Sequence, residues 1–285
     1  MKNSRWLQHV MFICLTVLGF TIGLTQAAWA LSSEFPNSLR GQVVSLATDT
    51  AGVINDSGVQ TAVSGPLTLS NSAVQGGSSA FSTETVNYGV IMASAGSSYS
   101  GNSTGAESGN TSGQWFDTFS IVSSTLTAGT PVTLSGMLTL DIVETAVGQL
   151  GFNNAGSGTL AELQVNNGIS NPIFNISQNI LTSTLNGTFN LFTPVTINTF
   201  VGGTLFVNGI LNLNALCQNG PCSTTLDASH TSIFTLASAT AGADYTTASG
   251  TSYLPQASAV PEPATLLLLG SGLIGLAAWR WKRAA

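Results

Sequence analysis

Charge is what this chain has least of. Lysine, arginine, aspartate and glutamate together make up 6% of 285 residues, and no lysine occurs between Lys2 and Lys282. Between positions 31 and 260 Arg40 is the only basic residue besides a histidine, set against eleven acidic residues. A chain so short of cations cannot neutralise a row of phosphates, which excludes nucleic acid as a partner. Histidine is as scarce: beyond the first thirty residues there is only His230. Three cysteines are too few for a disulfide-dense scaffold or a cysteine-rich metal site. No calcium loop of the Asp-x-Asp-x-Asp-Gly kind occurs. These absences leave no metal site, no cofactor site and no catalytic residue to nominate.

What remains is serine, threonine, asparagine and glycine around a regular apolar pattern. Val132, Leu134, Leu138, Leu140 and Ile142 alternate with Thr133, Ser135, Thr139 and Asp141, and Leu205, Val207, Leu211 and Leu213 alternate with Asn208 and Asn212. That period of two is a strand with one buried face. Shorter candidate strands lie at 42–47, 85–93, 115–126, 160–165, 172–177, 188–199 and 231–237. Helical periodicity is absent outside the termini. Aromatic residues such as Phe81, Tyr88, Trp115, Phe119 and Phe234 argue for a packed core, which a disordered polar tract lacks. The expected fold is all-β: a single β-sandwich or jelly-roll-like domain over residues 31–255. The stretch 95–113, rich in Gly and Ser, reads as a mobile loop.

Local motifs are few. Cys217 and Cys222 enclose Gln-Asn-Gly-Pro, a turn sequence, and cysteines this close in an oxidising compartment form a disulfide. His230, flanked by Asp227 and Ser229, reads as a histidine at a turn entering a strand. A Ser-His-Asp hydrolase is the sharper alternative, but triads are assembled from distant segments. Asp141 and Glu144 have opposite parity on one strand, which sends them to different faces. Asn-x-Ser/Thr sequons occur at Asn55, Asn102, Asn110, Asn175 and Asn186, and the 95–113 stretch is a candidate for glycosylation. If the domain binds carbohydrate, Tyr88 or Trp115 are the candidates for an exposed aromatic on a sheet face.

Both ends carry addresses. Residues 1–30 have a positive start at Lys2 and Arg5, an apolar run from Val10 to Leu24, and Ala28-Trp29-Ala30 before Leu31. This is the layout of a secretory signal peptide with small residues at −3 and −1, removed by signal peptidase after export through the general secretion machinery. Cys14 lies inside the apolar run and leaves with it. At the other end, a linker at 256–263 closes with Pro261-Glu262-Pro263. The prolines fix φ and remove two backbone donors, and each residue before a proline is pushed to extended geometry. An apolar span follows at 264–281, eighteen residues or about 27 Å of helix, at the short end for a hydrocarbon core of about 30 Å. Arg280, Lys282 and Arg283 form a basic stop, with 282–285 as the cytoplasmic tail by the positive-inside rule. Ser271 and Gly275 are spaced for close helix packing.

The Pro-Glu-Pro strip, an apolar helix containing Gly270-Ser271-Gly272-Leu273 and the terminal Arg280, Lys282 and Arg283 together resemble the PEP-CTERM sorting signal of exported proteins in Gram-negative bacteria. The resemblance covers the last twenty-five residues or so. It implies recognition by an exosortase, a membrane-embedded cysteine transpeptidase-like enzyme, processing near Pro261–Pro263, and a link to exopolysaccharide and biofilm matrix. The catalytic residues of that processing belong to the exosortase. The expected protein is therefore not an enzyme. It is held in the inner membrane with its domain on the periplasmic side, then moved to the cell surface or beyond. A carbohydrate-binding or adhesive module kept at the membrane is the alternative reading, and a secreted hydrolase the third.

Overall fold

A computed structural model of the chain describes residues 37–49, 52–100, 106–148, 155–167, 173–182, 186–218 and 221–255. The leader, the Pro-Glu-Pro strip, the apolar span and the basic stop lie outside these residues. Among the described residues no helix is long and apolar enough to cross a membrane.

The described chain is all strand and connection. β1 (Ser38–Asp49), β2 (Gly52–Ala62), β3 (Leu67–Gln75), β4 (Ser78–Asn87) and β5 (Val90–Tyr99) are followed by the long β6 (Ala106–Ser123) and β7 (Pro131–Val147). Then come β8 (Ala155–Asn166), β9 (Phe174–Thr182), β10 (Gly187–Phe200), β11 (Thr204–Gln218), β12 (Cys222–Ser238) and the short β13 (Ala243–Thr247). They form two antiparallel sheets. One runs β2-β1-β6-β11-β8-β9, with β13 paired to the end of β6; the other runs β10-β7-β12-β5-β4-β3. The expected sandwich is what the strands build.

The alternation read in β7 and β11 sets the inner faces. Leu134, Leu140 and Ile142 from one sheet and Leu211, Leu213 and Leu163 from the other are fully buried between the layers. One end of the sandwich is aromatic. Trp115 stacks on Phe234 at 5.8 Å between ring centroids and lies 5.5 Å from Tyr253, and Phe119 lies 4.8 Å from Tyr253 and 5.2 Å from Tyr245. Away from that end Ser45 and Ser82, from facing sheets, lie 2.9 Å apart through their hydroxyls, and Tyr99, Cys217 and Cys222 form a second, smaller buried cluster.

The described part of 95–113 is not a mobile loop. Residues 95–99 and 106–113 belong to β5 and β6 in the middle of the two sheets, Ser100 follows β5, and 101–105 lie outside the described residues. The glycines of this stretch bring the layers together. A Cβ on Gly109 would stand 2.2 Å from the Phe81 carbonyl oxygen and 2.7 Å from that of Gly96, so only a bare α-carbon fits. Ser108 and Thr111 are buried, which takes much of the stretch away from any glycosylating enzyme. The expected strand over 85–93 is instead a hairpin, with Asn87 paired to Val90 across a two-residue turn at Tyr88–Gly89. His230 falls inside β12, at an irregularity where the pairing shifts between Ala228 and Ser232, and not at a turn before a strand.

Candidate functional site

Strand alternation leaves one side chain in two on the outside of each sheet. On the outer face of the six-stranded sheet those side chains are almost without charge. β3 presents Thr68, Ser70 and Ser72, β4 presents Ser79, Phe81, Thr83 and Thr85, and β5 presents Met92, Ser94 and Ser98. Their hydroxyls pair across the strands: Thr68 with Thr85 at 3.1 Å, Thr83 with Ser94 at 2.6 Å, and Ser79 with Ser98 at 2.7 Å. Each pair fixes two hydroxyls and leaves further lone pairs toward solvent. The carboxylates on this face are Asp227, whose Oδ1 accepts from the Ser229 N–H at 2.8 Å, and Asp141.

Rings stand among the hydroxyls. Phe81 is 39% exposed. A Cβ on Gly96 would lie 2.2 Å from its ring, so the ring lies across β5 where a side chain is missing. Beside it, Thr68, Thr83, Thr85, Met92 and Ser229 line a shallow groove of about 260 Å³. On the far strand of the same sheet Phe192 is 62% and Phe200 51% exposed. A ring flanked by ordered hydroxyls can cover the apolar face of a sugar and hydrogen-bond its rim.

The sequence pointed to other aromatics, and they are inside. Tyr88 is 5% and Trp115 2% exposed; the Tyr88 hydroxyl donates to the Val63 carbonyl at 2.9 Å, and Trp115 belongs to the aromatic end of the core. Phe81, Phe192 and Phe200 take their place. Their signal in the sequence was parity: each occupies the polar side of its strand's alternation.

The structure also places carboxyls in the interior. Glu84, Glu107, Asp117 and Glu144 are all buried between the layers, and each meets a group from another element. Glu84 Oε2 accepts from the Ser112 N–H at 3.0 Å. Glu107 meets the Ser78 hydroxyl at 2.7 Å, and Glu144 meets the Ser157 hydroxyl. Asp117 accepts from the Ser249 N–H at 3.0 Å, the Tyr253 hydroxyl at 2.9 Å and the Ser249 hydroxyl, which pins the end of the sandwich to β6. Burial pushes the Glu84 carboxyl well above the usual carboxylate range, opposed in part by the N–H groups of Ser112 and Gln42. Burial and the adjoining Asp117 push the Tyr253 hydroxyl far up as well. Tyr245 is pushed up to about 12, chiefly by burial.

Asp141 and Glu144 lie on opposite faces of β7, Glu144 inside and Asp141 outside, so they form no acid–base pair. Among the described residues no group of three or more His, Cys, Asp or Glu could hold a metal ion. The spacing Gly101-Asn102-Ser103-Thr104-Gly105 matches a nucleophile elbow, which needs a strand leading into a helix. These five residues lie outside the described residues, and the next described element in the sequence is the strand β6, not a helix. Cys217 and Cys222 are joined in a disulfide with their α-carbons 5.8 Å apart. The bond links the end of β11 in one sheet to the start of β12 in the other.

The tail decides the wider identity. A family model described as the PEP-CTERM protein-sorting motif matches residues 259–283. The chain carries a PEP-CTERM sorting motif. The match contains Pro261, Glu262, Pro263, Arg280, Lys282 and Arg283. A PEP-CTERM tail marks an exported protein sorted to the cell surface, with an exosortase as its processing partner. No curated protein matches the sequence. Among solved structures, one described as "Structural basis for the promiscuous specificity of the carbohydrate-binding modules from the beta-sandwich super family" is similar at 10% identity. That likeness covers 66% of this chain and 73% of that one, with a TM-score of 0.18. The strand pairing itself, and not that likeness, establishes the sandwich.

Proposed function

We propose that this PEP-CTERM protein is a non-enzymatic surface or matrix component that contacts neutral exopolysaccharide through the outer face of its six-stranded sheet. The observation that carries the sorting half is the motif at 259–283. Its chemistry suits the task. Pro261 and Pro263 keep the strip extended and unpaired, so an exosortase grips it without unfolding anything, while Arg280, Lys282 and Arg283 hold the chain end in the cytoplasm. Signal peptidase removes residues 1–30, and the domain waits on the periplasmic side of the inner membrane until the tail is cut. The observation that supports the contact half is a face with hydroxyls and exposed rings but almost no charge, as a neutral polymer requires. The same poverty of ionisable groups on that face supports a binding role over a hydrolytic one.

Mass spectrometry of the C-terminus, from the native host with and without exosortase, tests the sorting half. A C-terminus near Pro261–Pro263 only when exosortase is present is the expected result. An intact Ala285 in both strains would replace this reading with a permanently anchored periplasmic binding module. Replacing Pro261-Glu262-Pro263 with alanines is expected to leave uncut protein in the inner membrane, and normal release of that variant would sink the assignment.

A further inference from the structure

We propose that the open edge of β10 is a self-association surface, whose N-terminal half pairs antiparallel with the same half of β10 in a second copy of this chain. Among the described residues β10 ends the six-stranded sheet, and all of Gly187–Phe200 is in register with β7 on one side only. Such an edge is a row of N–H and C=O groups whose natural complement is another strand. Sheet proteins usually blunt long edges with lysine or other charge, and β10 has no ionisable residue. Its one interruption is Pro194, opposite Met137. Proline is tolerated in a strand where its missing N–H would face away from the neighbour. The backbone of Pro194 therefore faces the open edge, as do those of Thr188, Asn190 and Phe192, which share its parity. The proline divides the edge in two.

The two halves differ in what they still expose. Beyond the proline, the inward Val195 and Ile197 are each 1% exposed and have nothing to gain from a partner. Before it, the inward Phe189 and Leu191 are only half-buried, and Phe192 stands out on the other face. Here unpaired backbone and apolar side chains on both faces coincide, and a strand laid alongside would cover all three. The other edge of this sheet, β3, lacks that combination, because its inward Leu67, Leu69 and Ala73 are already buried.

Charge selects the occupant. With eleven acidic residues and one arginine in the exported region, two copies repel except across a surface that carries no charge. β10 is such a surface, and the nearest outward carboxylate, Asp141, lies one strand behind Asn190. An antiparallel strand complements itself across a two-fold axis and needs no countercharge. A two-fold at Asn190 sets Thr188 of each copy opposite Phe192 of the other.

Disulfide trapping of the full chain in its native envelope tests this. The native Cys217 and Cys222 are already bonded to each other, so a single new thiol reports contact. Asn190→Cys is expected to give a dimer of twice the chain mass, while Asn198→Cys beyond the proline and Ser70→Cys on β3 stay monomeric. Adding Thr188→Lys or Phe192→Lys to the Asn190→Cys chain is expected to abolish that dimer through charge on the edge. Both lysines replace exposed side chains, and wild-type protease resistance of the monomer separates lost pairing from lost folding. No dimer from Asn190→Cys, equal dimers from all three positions, or a cross-link to a different protein would each overturn the proposal.

Discussion

Glu84 shows what one buried carboxyl does to a sandwich this short of cations. Its headgroup reaches from β4 to the opposite sheet, close to where Gly41 and Gly113 leave room, and a Cβ on Gly113 would stand 2.4 Å from Oε1. Oε2 has the Ser112 N–H, whereas Oε1 is buried without a partner. The side chains packed on this site, Leu67, Leu69 and Ile91, carry no charge that would favour ionisation. Because the folded carboxyl titrates well above its unfolded value near 4.3, the domain keeps the full benefit of the neutral acid at low pH. It loses stability as pH rises from there through the raised value, by about 1.4 kcal/mol for each pH unit that separates the two. Glu84→Gln keeps an acceptor for Ser112 and removes the titration. Its melting temperature is expected to exceed wild type at pH 8 and to approach it at pH 4; parallel curves across that range would refute the neutral-acid account. Asp117 is an acceptor for three donors from the chain's last described segment. Asp117→Ala strands the Tyr253 hydroxyl and the Ser249 N–H and is expected to cost about 3 kcal/mol. Hydrogen exchange should localise the loss to 243–253 rather than to β7.

Among the elements, β11 and β12 depend on the Cys217–Cys222 bond, the covalent tie between sheets at their connection. The loop it closes is short, so chain entropy limits its worth to about 2 kcal/mol. Cys217→Ser with Cys222→Ser is expected to lower the unfolding free energy measured in urea by that amount and leave strand content unchanged by circular dichroism. Gly109 is less forgiving. Its missing Cβ sits against two backbone oxygens that cannot swing away, so Gly109→Ala is expected to cost about 3 kcal/mol through overpacking, more than losing the disulfide. A ranking of the two in urea in the reverse order would contradict the close approach. β7 and β11 are legible in the sequence because runs of large aliphatic residues at inward positions, such as Leu138, Leu140, Leu211 and Leu213, alternate with polar ones such as Thr139, Asp141 and Asn212. β2 and β3 are not, because Asn55-Asp56-Ser57-Gly58 spells a turn and Ser70-Asn71-Ser72 spells a loop. Tertiary pairing overrides both. The 95–113 stretch misleads for a related reason. Glycine signals freedom when the chain is read locally, and here it is required by two sheets pressed together. The candidate face was half legible: alternation exposes its hydroxyls, but only pairing shows which strands lie side by side and that Phe81 crosses Gly96.

For the whole molecule, the sparing use of charge has a consequence for how it holds a ligand. A surface that binds through phosphate or carboxylate contacts weakens steeply with salt. The outer face of the six-stranded sheet offers Phe81, Met92 and paired hydroxyls, and its carboxylates Asp141 and Asp227 carry the wrong sign for an acidic polymer. Binding to a neutral polysaccharide is therefore expected to persist from low to molar salt, and binding to an acidic one to be absent at low salt. Affinity electrophoresis of the protein through gels of each polymer reads this directly. Phe81→Ala removes the ring that lies across β5 and is expected to weaken retention about tenfold, the equivalent of about 1.4 kcal/mol. Thr83→Ala breaks one hydroxyl pair and should cost less. If Phe200→Ala, on the far strand, weakened retention as much as Phe81→Ala, the contact would extend over the whole sheet. If neither did, the face would carry no polysaccharide and the sorted protein's partner would lie elsewhere. Retention that fell with salt would assign the contact to charged groups and reject the neutral-polymer reading.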